Sequence, residues 1–239
     1  MTRFGTHLFV GLSAIAFTIG SPLAQVIYVA DDGRQLLSYD VGGDTFTPIG
    51  SPMPAVIGGM GCADPTLLYG TDPSASAGVY AIDPSAGTAT LLGQVPGHTA
   101  VGSTVGPDGN VWAISNDSQG LLYTVDPASI TATDIGAIGF SNEGQPSFDT
   151  SGNLFTFMVG GGSDSLYQLD PATAQPTLIG PVGYSIYAAA FCGDTLYVFS
   201  GGATRIIATV DTTTGNATVL SSYGAPVTGS IQSAACCPQ

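Results

Sequence analysis

Apolar residues occur in this chain as short runs that are separated by clusters of glycine, proline, aspartate and serine. The runs are rich in β-branched and aromatic residues and have no helical spacing, which predicts strands joined by tight turns. One kind of run ends in an aspartate, as at 79–83, and a run rich in threonine and aliphatic residues follows it, as at 88–93. Two further runs precede these two: first a stretch of small residues, and then a run that contains an aliphatic–aromatic pair. The pattern predicts an all-β protein built from sets of four strands.

The set of four runs repeats along the chain with an almost constant period. The aspartates recur at steps of 43, 43, 44 and 41 residues, and a glycine or serine follows each of them after ten residues. Four antiparallel strands in about 43 residues are typical of one blade of a β-propeller. The aspartates that set this period are Asp40, Asp83, Asp126, Asp170 and Asp211.

The two ends of the chain share one unit. The first unit lacks its small-residue run, and a run of the missing kind, 230–236, follows the last unit. Such a split unit closes a ring, because the strand from one end pairs with the strands from the other and removes the open edges. The sequence therefore predicts a five-bladed β-propeller that is closed by pairing the C-terminal strand into the N-terminal blade.

Units of the form Leu-Tyr-x-Ile-Asp-Pro-x-x-Gly-x-x-Thr-x-x-Gly, clearest at 79–93, resemble those of a known group of proteins. These are secreted bacterial β-propeller repeat proteins of the YVTN and quinoprotein-like (WD40-like) type. The resemblance covers residues 26–237 and concerns strand and turn positions, so it implies a fold and no particular activity. It also implies that the small-residue strands lie innermost. Finally, it implies that the loops after the aliphatic–aromatic strand and those between blades share one face, which we call the upper face.

The first 24 residues have the features of a secretory signal peptide. Arg3 lies near the start, an apolar run occupies 8–19, and Ala24 is the expected cleavage point. The apolar run has 12 residues, too few to cross a bilayer. We therefore expect a secreted, periplasmic or extracellular protein with no membrane insertion after cleavage, in which residues 25–239 form a single domain.

Charge excludes several kinds of partner. Without the signal peptide, the only cations are Arg34 and Arg205, against 17 acidic residues, and the chain has no lysine. Nucleic acids and anionic membrane surfaces are bound through clustered cations, so neither is an expected partner. The acidity is best explained by solubility.

The sequence assigns no catalytic, metal or cofactor site. Each aspartate turn supplies about one carboxylate, whereas calcium needs several oxygen ligands, so the repeated aspartates are interpreted as turn residues. The small-residue runs lack the pair of acids that a glycosidase requires, since Asp64 and Asp149 lie only at run ends. His98 is the only histidine outside the signal peptide, which excludes a multi-histidine metal site.

A candidate ligand-binding site lies on the upper face, which combines aromatic and polar side chains as binding surfaces do. The hypothesis assigns ligand binding to His98, Glu143, Tyr184, Arg34 and Arg205. The alternative is that the loop tips are simply polar and that the aromatic residues cap the blades. The predicted upper-face residues are His98, Phe140, Glu143, Tyr184, Tyr187 and Tyr223 between blades, and Asp32, Arg34, Asp72, Asn116, Asp117, Asp164 and Arg205 at hairpin tips.

These observations favour a non-enzymatic binding module for a protein, small molecule or carbohydrate. One alternative is a hydrolase or lyase that uses upper-face residues such as His98 and Glu143. A purely structural role in the cell envelope is a third possibility. The ligand or partner is not identified by the sequence.

The four cysteines lie at the ends of small-residue runs, in the split unit and in its two neighbours. An exported protein uses such cysteines for disulfides, and we expect one or both of Cys236 and Cys237 to bond to Cys192 or Cys62. Adjacent residues of a strand point to opposite sides, so each of the two can reach a different neighbour, and the pairing stays open. A zinc site is the alternative, but its usual ligand spacing is absent.

Overall fold

The computed structural model describes residues 25–141, 144–160 and 163–237, without the side chains of residues 159 and 160. These residues form twenty strands, numbered in chain order, and no helix. None of the described segments is therefore a helix that could cross a membrane. The predicted signal peptide lies outside the described residues, as does Glu143.

The strands form five antiparallel sheets of four strands each, which are the blades of a propeller. From the axis outward, blade 1 contains β20 (Ile231–Cys236), β1 (Val26–Asp31), β2 (Leu36–Asp40) and β3 (Thr45–Ile49). Blade 2 contains β4 (Gly59–Asp64), β5 (Leu67–Thr71), β6 (Ala77–Asp83) and β7 (Thr88–Val95). Blade 3 contains β8 (Gly102–Val105), β9 (Val111–Ile114), β10 (Leu121–Asp126) and β11 (Thr131–Ala137).

The remaining two blades follow the same order. Blade 4 contains β12 (Ser147–Phe148), β13 (Leu154–Gly160), β14 (Ser163–Leu169) and β15 (Pro176–Pro181). Blade 5 contains β16 (Ile186–Cys192), β17 (Thr195–Ser200), β18 (Ile206–Val210) and β19 (Ala217–Ser222). The predicted five-bladed propeller and its closure by the C-terminal strand are confirmed.

Small residues allow the innermost strands to approach one another closely. A Cβ atom on Gly59 would lie 1.8 Å from the backbone nitrogen of Ser103, and one on Gly61 would lie 2.0 Å from that of Val105. Any larger residue at either position would push β4 away from β8. The runs of small residues in the sequence are therefore required by crowding at the axis.

Larger apolar side chains fill the spaces between neighbouring blades. In the space between blades 1 and 5, Tyr39 meets Phe199 edge to face, with ring centroids 6.0 Å apart. Between blades 3 and 4, Trp112 and Phe148 make a similar contact at 5.3 Å. Through such contacts each blade shares an apolar core with the two blades beside it.

Two disulfides hold the closing strand. β20 pairs with β1 so that Cys236 lies opposite Ile27. Cys236 is bonded to Cys192 of blade 5, and Cys237 is bonded to Cys62 of blade 2. All four cysteines are within the described residues and none is free, so the predicted use of these cysteines in disulfides is confirmed. The two bonds tie blade 1 to both of its neighbours.

The repeated aspartates lie in the turns between the third and the outermost strand of each blade, at the face opposite the upper one, which we call the lower face. Oδ1 of Asp83 accepts hydrogen bonds from the N–H groups of Ser85 (2.8 Å) and Ala86 (3.2 Å) and from the Ser85 hydroxyl (2.7 Å). These bonds favour the ionised form and lower the pKa of Asp83. The same kind of turn is made by Asp126, Asp170 and Asp211.

Candidate functional site

A pocket of about 280 Å³ opens on the upper face at the propeller axis, and we call it the upper axial pocket. Loops or strand ends of blades 1, 2, 3 and 5 contribute to it. Among the described residues, its lining contains no charged side chain and consists of Val56, Gly58, Pro73, Val101, Asn116, Tyr187 and Gln232.

Tyr187 provides the aromatic surface of the pocket. It lies at a bulge in β16, because Ile186 pairs with Ser200 and Ala188 pairs with Phe199, which leaves Tyr187 as the extra residue. Its ring is packed against Gly201, where an added Cβ would lie 2.3 Å from Cδ2 of the ring. The bulge turns the Tyr187 side chain toward the axis. Because Gly201 has no side chain, the ring can lie directly against its backbone, and this packing fixes the ring.

Two carboxamides face the same space. Asn116 is exposed at the tip of the β9–β10 hairpin, where its backbone N–H donates to Oγ1 of Thr99 at 2.8 Å. Gln232 is half-buried near the start of β20. Each carboxamide offers both a donor and an acceptor, so the pocket suits a neutral ligand with its own polar groups.

Aspartates next to the pocket hold its loops in place. The carboxylate of Asp72, beside Pro73, accepts bonds from the Ser74 hydroxyl, the Gly78 N–H (3.0 Å) and the Tyr80 hydroxyl (2.9 Å). Burial raises the pKa of Asp72, but these hydrogen bonds outweigh it and hold the pKa below its ordinary value. Burial, together with the bond to Asp72, raises the pKa of Tyr80 to about 12.

Asp117 has the corresponding role beside Asn116. Its carboxylate accepts bonds from the Ser115 hydroxyl (2.6 Å) and from the N–H groups of Gln119 (2.8 Å) and Gly120 (2.7 Å). These bonds order the hairpin that carries Asn116. Both aspartates therefore shape the pocket wall through the backbone.

Gln145 spans the axis below the pocket. It is 1 % exposed, and its Nε2 donates to the carbonyls of Met60 (2.5 Å) and Ala234 (2.6 Å). Its Oε1 accepts the N–H of Ala234 at 2.7 Å. One side chain from blade 4 thus bonds to the inner strands of blades 1 and 2.

The position of these hydrogen bonds along the inner strands shows that Gln145 lies between two cavities on the axis. In β20, Gln232 of the upper axial pocket precedes Ala234, and Cys236 follows it. A second cavity, of about 80 Å³, is lined by Met60 and Ala234 and by residues further along all five inner strands, Cys236 among them. Gln145 is not among the residues that line either cavity, but its hydrogen bonds carry it across the axis between them, and we call it the floor of the upper axial pocket in this sense.

The sequence alone does not indicate the role of Gln145. It lies at the head of the run 145–148, which was recognised only as a small-residue run. A long polar side chain at the start of an innermost strand was the one signal available. Its two partner residues, Met60 and Ala234, are distant in sequence, so no local pattern indicates them.

His98, a predicted site residue, lies at the outer rim between blades 2 and 3. Its Nε2 is 2.7 Å from Oδ1 of Asp134 in β11, the outermost strand of blade 3. Its Nδ1 is 3.2 Å from the carbonyl of Pro96, and its ring lies 4.6 Å from that of Tyr123 at an angle of 49°. These contacts hold His98 at the rim, away from the residues that line the upper axial pocket.

The other predicted site residues that the structure describes do not line the upper axial pocket. Arg34 and Arg205 occupy left-handed turns with φ of 68° and 43°. Their carbonyls accept the N–H groups of Met53 (2.8 Å) and Tyr223 (2.9 Å), which fixes the loops between blades. Tyr184 is half-buried against the apolar core between blades 4 and 5. A ligand-binding role for these residues, and for Glu143, stays a prediction.

In the ranges that the structure describes, no group of three or more histidine, cysteine, aspartate or glutamate side chains is arranged to hold a metal ion. The upper axial pocket is thus defined by an aromatic ring, two carboxamides and apolar walls.

Fold and pocket together define a β-propeller with a closed-ended axial cavity, and comparisons with known proteins agree on the fold. No family model matches the chain, and no curated protein matches it. Among solved structures, TolB from Acinetobacter baumannii matches with a TM-score of 0.55 and 15% identity over 84% of this chain and 53% of that chain. A chain of a nidogen/laminin complex matches with a TM-score of 0.57 and 13% identity over 90% of this chain and 98% of that one.

A third match is an auxiliary nutrient binding protein from Bacteroides thetaiotaomicron, with a TM-score of 0.54 and 13% identity over 87% of this chain and 58% of that chain. The chain therefore spans little more than half the length of the TolB and Bacteroides chains. At these identities the likeness concerns the fold alone. The resemblance to β-propeller repeat proteins is confirmed at that level.

Proposed function

We propose that the protein is an exported, non-enzymatic binding module that takes a small ligand into the upper axial pocket. The observation that carries the proposal is the pocket itself, in which an oriented aromatic ring, two carboxamides and a closed floor converge at the axis. Concave sites of this composition are the usual form of small-ligand sites. The two disulfides support a location in an oxidising compartment.

The alternative, a hydrolase or lyase on the same face, has less support. Such chemistry needs an acid–base pair within reach of the substrate, and the described lining of the pocket contains no aspartate, glutamate or histidine. The His98–Asp134 pair lies at the outer rim instead. The nutrient-binding description of the Bacteroides neighbour is a precedent for a binding role on this fold, and no more.

A blocking variant tests the proposal. Asn116→Trp places a bulky ring in the pocket from an exposed hairpin tip, so the fold is expected to tolerate it. Asn216→Trp, an exposed asparagine on the lower face, is the matched control. A mixed library of neutral, cationic and anionic small molecules is screened by thermal shift and by ligand-observed NMR.

We expect at least one compound that binds the unmodified protein and the Asn216→Trp variant but not the Asn116→Trp variant. If no compound in the library binds, or if every compound that binds also binds the Asn116→Trp variant, the upper axial pocket is not the functional site. Either result would remove the proposed function.

A further inference from the structure

We infer that the ligand of the upper axial pocket is a neutral saccharide, with one sugar ring stacked on Tyr187 and its hydroxyls bonded to Asn116 and Gln232. This inference rests on the proposed function and names its ligand class. Three observations carry it: the absence of charge among the described lining residues, the fixed aromatic ring, and the two carboxamides at the mouth of an axis that Gln145 closes below them.

The described lining of the pocket disfavours ionic ligands. Its residues offer no cation for a phosphate or carboxylate and no carboxylate for an amine. A charged group taken out of water without a partner is strongly disfavoured. The chain as a whole has 17 acidic residues against three cations, which adds long-range repulsion of anions. The described lining therefore favours a neutral ligand.

The aromatic ring favours a ligand with a flat face of C–H bonds. The face of an aromatic ring is electron-rich, and the weakly positive C–H groups on one side of a pyranose pack against it. The Tyr187 ring is already held by Gly201, so little side-chain entropy is lost when the sugar binds. Purely apolar ligands would also stack on this ring, but they would leave the carboxamides without partners.

The carboxamides match neighbouring hydroxyl groups. Each offers an N–H donor and a carbonyl acceptor side by side, and each hydroxyl of a sugar can donate and accept. Asn116 and Gln232 belong to blades 3 and 1, so they approach the pocket from different directions. A ring with hydroxyls around its edge can bond to both while its face covers Tyr187.

The floor limits how much of a saccharide can enter. Gln145 closes the axis below the pocket through three backbone hydrogen bonds. The volume of about 280 Å³ is near the lower end of the range for small-molecule sites, roughly 300 Å³. A chain cannot thread through the propeller, so the pocket takes a monosaccharide or the terminal unit of an oligosaccharide.

The test uses the full mature protein and a panel of neutral sugars, namely glucose, galactose, mannose, N-acetylglucosamine, cellobiose and maltose. Glucuronate and glucosamine serve as charged relatives of the same shape. Saturation-transfer NMR identifies binding, and titration calorimetry measures affinity. We expect at least one neutral sugar to bind and the charged relatives to bind at least about tenfold more weakly.

Four variants connect binding to the proposed contacts. Tyr187→Ala is expected to weaken the affinity by about tenfold, whereas Tyr187→Phe, which keeps the ring, should stay within about threefold. Gly201→Ala displaces the Tyr187 ring without removing any polar group and should also weaken binding by about tenfold. Asn216→Ala, on the lower face, is the control and should leave the affinity unchanged. Thermal unfolding of every variant identifies any that has lost its fold.

The possible results distinguish a failure of the saccharide assignment from a failure of the proposed binding function. If none of the neutral sugars binds but other compounds bind and are blocked by Asn116→Trp, the saccharide assignment is wrong and the binding module stands. If a sugar binds but Tyr187→Ala and Gly201→Ala leave its affinity unchanged, the assignment to this pocket is wrong. If no compound is blocked by Asn116→Trp, both fail.

Discussion

Gln145 illustrates how much a single side chain can determine at the axis of a propeller. Both hydrogens of its Nε2 and its Oε1 are used by backbone groups of two other blades. The inner strands are edge strands, so these backbone groups have no ladder partner on the axial side. Glutamine satisfies them where the space is too narrow for another strand.

Replacement of Gln145 should therefore be costly. Gln145→Ala leaves one N–H and two carbonyls without their partner, and we expect a loss of about 2–4 kcal/mol in the free energy of unfolding, measured with urea. Gln145→Glu, which has the same shape, places a carboxylate against two carbonyls and should be at least as destabilising at neutral pH. Gln94→Glu, at an exposed position of β7, is the control and should have little effect. Unchanged stability of both Gln145 variants would contradict the role of this residue as a floor.

The turn aspartates make stability depend on pH. The pKa of Asp83 in the folded protein lies below the ordinary value of an aspartate, because its carboxylate accepts hydrogen bonds from Ser85 and Ala86. A depressed pKa stabilises the fold above the unfolded value, and this contribution is lost as the pH falls through the folded value.

We expect Asp83→Asn to be less stable than the unmodified protein near neutral pH, and the difference to shrink as the pH falls below about 3.8. Urea unfolding at a series of pH values measures this difference. Gln94→Ala carries no titrating group and should differ from the unmodified protein by the same amount at every pH. A difference for Asp83→Asn that is constant with pH would show that the charge of Asp83 does not stabilise its turn.

At the scale of elements, β20 is the strand on which the ring depends. Its hydrogen bonds to β1 complete blade 1, and its last residue, Cys236, and the following Cys237 are bonded to blades 5 and 2. The sequence predicted this role, because the missing small-residue run and the cysteine positions both indicate the same junction. It left the pairing open, since the neighbour that each cysteine meets depends on the direction of each side chain in the folded ring.

The two disulfides should contribute unequally to stability. They span sequence separations of 175 residues for Cys62–Cys237 and 44 residues for Cys192–Cys236. Each is expected to contribute about 2–4 kcal/mol, and the chain-entropy model gives the longer loop about 1 kcal/mol more. Paired alanine variants, in which both cysteines of one disulfide are replaced, test this by urea unfolding. Equal losses, or a greater loss for Cys192–Cys236, would contradict the chain-entropy account for this ring.

At the scale of the whole molecule, the fold could be predicted and the pocket could not. The blades follow from patterns that lie within about 43 residues, and the split unit indicates closure without knowledge of any contact. The upper axial pocket depends on side chains from four blades that meet only when the ring is closed. The sequence predicts Tyr187 and Asn116 on the upper face. It indicates ionisable and scarce residues, such as His98, as the binding residues. In the structure His98 instead joins two blades at the outer rim.

The place of β20 in the chain also determines the order in which the molecule can be completed. Blades 2 to 5 each consist of consecutive strands, so each can form as soon as its own segment has been synthesised. Blade 1 must wait, because β1 is made early and β20 is the last of the described strands. Until then β1 has an open edge, and such an edge can pair with another chain. Slow synthesis of the segment that contains β20, or slow oxidation of its cysteines, would therefore favour aggregation of nascent chains even when the finished ring is stable.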